Sequence, residues 1–182
     1  MSHSTKVFVH GVPETSAVWS PLVDELSTRG VTNIVLLSPP GFGTPSPAGW
    51  GASMYDYRDW LLNELDNIDG PIDLVAHDWG AGYLYNALAT QPHIVRSWAS
   101  DCIGMLHPDY IWHDGALRWQ TPDIGEQWVA GMVALSDQDF VDLFAAQGVT
   151  PTVASLIKAH VNDDMARCIL ALYRSAAQPA LA

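Results

Sequence analysis

The chain has 182 residues, of which 48% are apolar and 15% are charged, an ordinary composition for a globular domain with one sizeable core. Twenty acidic against eight basic residues give a formal net charge of -12 at pH 7, which repels nucleic acids and anionic membrane surfaces. We therefore expect neither as a partner. Cys102 and Cys168 lack the spacing of a metal site or a disulfide framework, so we predict two buried free thiols, no metal and no cofactor. With no secretory signal and no apolar run long enough to span a bilayer, the sequence predicts a cytoplasmic protein.

The first half of the sequence alternates predicted strands with predicted helices. Strands are expected at 6–9, at 33–37, from 72 onward and at 95–102, and helices at 18–29, at 55–68 and up to residue 90. Such alternation builds a parallel sheet through right-handed crossovers, with helices on both faces. The fold class is therefore predicted to be α/β.

The second half shows helical periodicity and no evident strand. Helices are predicted at 110–120, 125–135, 137–147, 152–160 and 163–177. We interpret residues 103–182 as an all-helical cap over the carboxyl edge of the sheet, and residues 1–102 as the α/β core. Most cap aromatics are expected to pack within the cap, and two or three to face a substrate.

The segment from Ile72 to Gly82 has the strongest chemical signal in the sequence. It starts as a short apolar strand and passes, without a linker, into a turn at Asp78 that opens a helix. Ala76, Gly80 and Gly82 leave room for the close backbone approach of a strained strand-to-helix elbow. This pattern fits a nucleophile elbow that carries a carboxylate, and it also fits an Asp that caps the following helix.

Other distinctive residues follow the remaining predicted strands. His10-Gly11 follows the first, a Pro- and Gly-rich loop from Ser38 to Gly51 follows the second, and Asp101 ends the fourth. The carboxyl ends of parallel strands are where such sheets bind ligands. We expect a site at this edge, and the long loop is either a wall of that site or a plain linker.

Taken together, these residues resemble the α/β-hydrolase superfamily, and within it the Asp-nucleophile branch of epoxide hydrolases and haloalkane dehalogenases. The resemblance covers the whole chain and rests on residues 10–14, 40–43 and 77–80 in this order and spacing. It implies that Asp78 is the nucleophile and that the backbone N–H groups of Val12 and Trp79 form the oxyanion hole. It also implies that Tyr173 is a ring-opening tyrosine of the epoxide hydrolase type.

Three positions depart from the patterns of these families. Val12 stands where haloalkane dehalogenases usually carry an Asn that holds the halide, which weakens the dehalogenase reading. Arg118 and Trp119 lie near the expected place of a second ring-opening tyrosine, for which Tyr110 is a poor substitute by position. Trp79 follows the nucleophile where fluoroacetate dehalogenases tend to have Arg.

The resemblance also implies two further strands after the cap, which deliver an acid and the histidine that activates water, and we expect this chain to lack them. Asp101 is a possible acid that orients a histidine, or a loop cap. Structural or surface positions are expected for five histidines: His10, His77, His107, His113 and His160.

The expected activity is hydrolysis of epoxides of small apolar molecules through a covalent alkyl ester on the carboxylate nucleophile. Two alternatives remain, a haloalkane dehalogenase-type hydrolase and a non-catalytic module that binds a ligand or a partner under its cap. A second copy of the chain or a complementary C-terminal segment is a possible further partner.

Overall fold

The computed structural model describes residues 4–107 and 109–177, and its centre is one parallel sheet of four strands. The strands are β1 (Thr5–Val9), β2 (Ile34–Leu37), β3 (Ile72–Ala76) and β4 (Ser97–Ser100), in the order β2-β1-β3-β4. Val9 is paired with both Leu37 and Ala76, and Ala76 with Ser100. The carboxyl ends of all four strands therefore lie level with one another, and the predicted α/β class is confirmed.

Three helices connect these strands. They are α1 (Ser20–Thr28), preceded by a 3-10 turn at Ser16–Trp19, α2 (Met54–Asp66) and α3 (Trp79–Thr90). Because the connection from β1 to β2 runs in the opposite direction to those that reach β3 and β4, right-handed crossovers put α1 on the opposite face of the sheet from α2 and α3. The stacked rings of Tyr57 and Tyr83, 4.8 Å apart, join α2 to α3.

The strand order creates a crevice between β1 and β3. The chain leaves β1 toward one edge of the sheet and leaves β3 toward the other, so the loops that follow these two strands diverge. Ligand sites of open parallel sheets lie at such switch points. Here the crevice is flanked by residues 10–14 after β1 and by His77 and Asp78 after β3.

The second half of the described chain is helical, and no strand follows Ser100 in it. It forms α4 (Asp114–Gln120), α5 (Ile124–Ala134), α6 (Asp137–Ala145), α7 (Pro151–Lys158) and α8 (Asp163–Ser175). Arg174 of α8 makes two 2.8 Å hydrogen bonds to Glu126 of α5. Phe140, Phe144 and Ile157 form the centre of a small core between α6 and α7.

Two predicted boundaries were wrong. The fourth strand is shorter than expected, because Cys102 takes a left-handed conformation at φ 55° and turns the chain into a 3-10 turn at Ile103–Leu106. The first cap helix begins at Asp114, because His113 is extended and its Nδ1 accepts the N–H of Ala116 at 3.2 Å as an N-cap. The division into a core of residues 1–102 and a cap of residues 103–182 stays a prediction.

The Pro- and Gly-rich loop after β2 is held against α8. The side chain and backbone N–H of Ser46 donate to Asp164, and Arg167 donates to the carbonyl of Trp50. Phe42 of the same loop is fully buried in the main core. The loop therefore supports α8.

Over the described residues, no helix combines the length and apolar character that a membrane crossing requires.

Candidate active site

Asp78 occupies a strained elbow between β3 and α3. Its backbone has φ 51° and ψ -121°, a conformation that costs a non-glycine residue about 1–3 kcal/mol. A Cβ on Gly80 would lie 2.5 Å from the carbonyl oxygen of Val9, so only glycine lets α3 begin this close to β1. The Asp78 side chain makes no capping hydrogen bond to α3. The elbow conformation is thus confirmed and the helix-cap interpretation was wrong.

The carboxylate of Asp78 lies against backbone donors from two elements. Its Oδ1 accepts the N–H of Val12 at 2.9 Å, and the backbone N–H of Trp79 acts on the same carboxyl group by lowering its pKa. Gly11 permits this approach, because a Cβ there would lie 2.4 Å from the Cβ of Asp78. Burial raises the pKa of Asp78, and the N–H groups of Val12 and Trp79 partly offset that rise. The predicted donor Val12 therefore binds the side chain that it is expected to serve, and Trp79 acts on the same carboxyl group.

Asp101 lies immediately behind the elbow. Its Oδ1 accepts the N–H of Asp78 at 2.9 Å, and its Oδ2 lies 2.5 Å from Nδ1 of His77. Although burial opposes it, these hydrogen bonds from His77 and Asp78 lower the pKa of Asp101. The predicted acid thus does contact an imidazole, and that imidazole belongs to His77, the residue before Asp78.

Tyr173 of α8 lies within a group of aromatic rings at the elbow. Its ring centroid is 5.2 Å from that of Trp79 and 4.8 Å from that of Trp119. Burial, and then the nearby charge of Asp78, raise the pKa of Tyr173, while a hydrogen bond with Trp79 partly offsets the rise. The hydroxyl is therefore protonated at neutral pH, as a proton donor must be.

A cavity of about 870 Å³ opens above Asp78. Asp78 and Tyr173 lie on its wall together with Val12 and His77. The rest of its lining is largely apolar and comes from the helical half of the chain, including Trp119, Trp128, Met132, Leu135, Leu143 and Phe144. A largely apolar cavity with a few polar groups is the usual form of a small-molecule site.

Comparison with known proteins places this elbow in a family. A family model described as the alpha/beta hydrolase family matches residues 7–180. The chain belongs to the alpha/beta hydrolase family. A haloalkane dehalogenase from Mesorhizobium japonicum is 28% identical over 176 residues, an alignment that covers 90% of this chain and 51% of the dehalogenase.

Solved structures of similar fold include both enzyme classes that the motifs indicated. A loop variant of the haloalkane dehalogenase DbeA from Bradyrhizobium elkanii superposes with a TM-score of 0.70 at 20% identity, over 98% of this chain and 65% of that chain. A point mutant of a candidate epoxide hydrolase from Pseudomonas aeruginosa gives 0.70 at 19% identity, over 97% and 64%. At these identities the likeness establishes the fold. The chain spans about half of the curated relative and somewhat under two thirds of these structures.

Other aromatic residues of the chain extend the group around Tyr173. Trp112 stacks on Trp79 with centroids 5.8 Å apart, and Tyr110 packs edge-on against Trp112 at 5.1 Å. Sequence reasoning overlooked Trp112 and set Tyr110 aside by position. The aromatic at the expected place of a second tyrosine is Trp119, whereas Arg118 points to the Trp128 ring, 4.1 Å from its centroid.

Among the histidines that the structure describes, only His77 has carboxylate partners, and these favour its charged form. Burial lowers the pKa of His10, whose Nδ1 lies 2.8 Å from the carbonyl oxygen of Gly11. His107, His113 and His160 are exposed. A neutral histidine held by an acid, the usual base for activating water, is therefore not formed within the described residues.

The two cysteines differ in their surroundings. Cys168 is buried as predicted, but Cys102 is exposed, so that half of the prediction was wrong. The reason is that Cys102 follows β4, a strand at the edge of the sheet, and lies in the turn beyond it. In the described part of the chain, no three His, Cys, Asp or Glu side chains are grouped closely enough to hold a metal ion.

Proposed function

We propose that this hydrolase attacks a saturated carbon with the carboxylate of Asp78, forms a covalent alkyl ester, and acts on epoxides of small apolar molecules. The observation that carries this proposal is the position of Asp78. Its strained elbow presents a carboxylate to a largely apolar cavity, and Tyr173, whose hydroxyl is protonated at neutral pH, lines the same cavity. A carboxylate needs no base for attack on carbon, because it is already ionised near pH 7.

The geometry supports separate roles for the two carboxylate oxygens. Oδ1 is held by the N–H of Val12, which leaves Oδ2 to attack the epoxide carbon. As the ring carbon–oxygen bond breaks, the alkoxide takes the proton of Tyr173. In the second step water adds to the ester carbonyl, and the negative charge develops on Oδ1 beside Val12 and Trp79. Each such donor typically contributes about 3 kcal/mol.

The second step also requires a base to take a proton from water. Because the described residues do not form one, we propose that it comes from a complementary C-terminal segment or from a second copy of the chain. Release of the ester by the 182-residue chain alone is then slow. The proposal includes a cytoplasmic location and a small apolar substrate, with neither nucleic acid nor membrane as a partner.

A haloalkane dehalogenase activity is the second candidate. The curated relative at 28% identity is a haloalkane dehalogenase, and attack by Asp78 on a carbon–halogen bond would use the same elbow. This activity is disfavoured because Val12 could offer a halide only its backbone N–H, and that N–H already donates to the Asp78 carboxylate. A non-catalytic binding module would keep the cavity without using the carboxylate, although a poorly solvated charge costs stability without serving an apolar ligand.

The test is covalent trapping on the 182-residue chain. Incubation with styrene oxide should add one equivalent of epoxide mass to Asp78, located by peptide mass spectrometry. The adduct should persist, because absence of general-base help slows hydrolysis by about 100-fold to 10,000-fold. Asp78→Asn should remain unlabelled, whereas the matched control Asp66→Asn, at an exposed carboxylate in α2, should label at the rate of the unmodified chain.

The pH dependence of labelling provides a second measurement in the same experiment. Only the ionised carboxylate attacks, and burial raises the pKa of Asp78 above its ordinary value. The labelling rate should therefore rise with pH through a midpoint above that of an exposed aspartate. A folded chain that never labels would contradict the proposal and favour the binding module. Labelling that persists in Asp78→Asn would identify a different nucleophile.

A further inference from the structure

His77 lies between two carboxylates that belong to different loops. Its Nδ1 is 2.5 Å from Oδ2 of Asp101, which follows β4. Its Nε2 is 3.5 Å from Oε1 of Glu14, which lies in the loop after β1. A neutral imidazole carries one N–H and can donate to only one of these acceptors, whereas an imidazolium donates to both. The arrangement of the three side chains thus selects the charged ring.

Each carboxylate also accepts a backbone N–H, and both of these hydrogen bonds lead toward Asp78. Oε2 of Glu14 accepts the N–H of Gly11 at 3.1 Å, beside the donor residue Val12. Oδ1 of Asp101 accepts the N–H of Asp78 at 2.9 Å. The ring therefore connects the loop that supplies an oxyanion donor to the backbone of the residue that receives it.

Among the described residues, the charged groups that act on His77 are carboxylates. Glu14, and then Asp101, raise the pKa of His77 to about 9 against the opposing effect of burial. His10 is neutral because burial lowers its pKa, and Asp78 adds negative charge from the same elbow. A second cavity, of about 520 Å³, adjoins His77, and the helical half of the chain lines it with uncharged residues, namely Gly148, Val149, Thr150 and Val153.

We propose that His77 is a positioning residue: as an imidazolium bridging Glu14 and Asp101, it fixes the loop after β1 against the elbow and keeps the Val12 N–H on the nucleophile. The kinetic consequence of this role rests on the proposed function. The charge state of the His77 ring can be measured without any reaction. His77 does not contact the reacting atoms. Its effect passes through Glu14 to Gly11 and through Asp101 to Asp78.

The bridge predicts how stability depends on pH. The folded pKa of His77, about 9, exceeds the unfolded value of 6.5. The stabilisation is therefore fully present below pH 6.5 and is lost as pH rises through about 9. Because the His77 side chain is 40% exposed, solvent screening makes this stabilisation smaller than the pKa change alone would suggest.

The first measurement is an NMR titration of the imidazole nitrogens in the unmodified chain, which requires no variant to fold. We expect both ring nitrogens of His77 to carry a proton at pH 7.5 and to titrate near pH 9. In Glu14→Gln the midpoint should fall, because the largest cause of the raised pKa is removed. An ordinary histidine midpoint in the unmodified chain would overturn the proposal, whatever the outcome of the trapping experiment.

The second measurement is the pH profile of Asp78 labelling. The unmodified chain should lose labelling rate above about pH 9, when His77 loses its proton. His77→Gln should lack this alkaline decline and label roughly 10-fold more slowly near neutral pH, a cost typical of a misplaced catalytic group. The matched control His93→Gln, in an exposed turn after α3, should keep the profile of the unmodified chain. An alkaline decline that persists in His77→Gln would overturn the positioning role.

Discussion

Tyr173 is the residue at which the two candidate substrate classes separate. Opening an epoxide leaves an alkoxide that needs a proton, whereas a halide leaves without one. Tyr173→Phe should therefore slow labelling by an epoxide about 100-fold and leave labelling by an alkyl halide nearly unchanged. The control Tyr55→Phe changes an exposed tyrosine of α2 and should alter neither rate. Equal slowing with both reagents would mean that the ring of Tyr173 acts through packing.

Among the residues of the site, the sequence predicts those whose identifying pattern lies in their immediate neighbours along the chain. Asp78 is recognisable because the small residues that permit its elbow are its near neighbours in the chain. Glu14 and His77 lie within recognisable motifs, but their contact with each other has no local signal, since it exists only after β1 and β3 have paired. Trp112 was missed because one aromatic residue among many in a helical region does not indicate which ring it will stack on.

The start of α3 depends on how closely it approaches β1. An added Cβ at Gly80 would meet the carbonyl oxygens of Val9 at 2.5 Å and His10 at 2.9 Å, and backbone atoms cannot rotate away. Gly80→Ala should cost about 2–4 kcal/mol of unfolding free energy, measured by urea denaturation. The control Gly131→Ala, in α5 with no atom within 4 Å of its added Cβ, should stabilise by about 0.5–1 kcal/mol. Equal stability of the two variants would contradict this packing argument.

Secondary structure was predicted well where hydrophobic periodicity is uninterrupted, as in α2 of the core and α8 of the helical half. The errors lie at the transition from the sheet to the helical half. There Cys102 adopts a left-handed turn and His113 acts as an N-cap, a position in which Ser, Thr, Asp and Asn are the expected residues. The apolar residues around Cys102 and His113 resemble those of a longer strand and a longer helix. The sequence alone therefore ends the fourth strand too late and begins the first cap helix too early.

At the scale of the whole molecule, we expect association at the β4 edge of the sheet. Within the described residues β4 pairs only with β3, and Trp98 on this edge strand is 46% exposed. Unpaired apolar edges pair with other chains, so we predict that the 182-residue chain self-associates in sedimentation velocity. Trp98→Lys should shift it to monomer, whereas the control Ile111→Lys, at a site 84% exposed outside the strands of the sheet, should not. A stable monomer without substitution would contradict the prediction.

The hydrogen bond between the Val12 N–H and Oδ1 has a consequence for the origin of the product's oxygen. If Oδ1 remains in the oxyanion hole, the substrate carbon becomes bonded to Oδ2. Water then attacks the acyl carbon, and the bond that breaks joins that carbon to Oδ2. The alcohol that leaves after the first turnover therefore takes its new oxygen from the protein, and water replaces the lost oxygen of Asp78. In oxygen-18 water, the isotope would enter the enzyme one turnover before it enters the product.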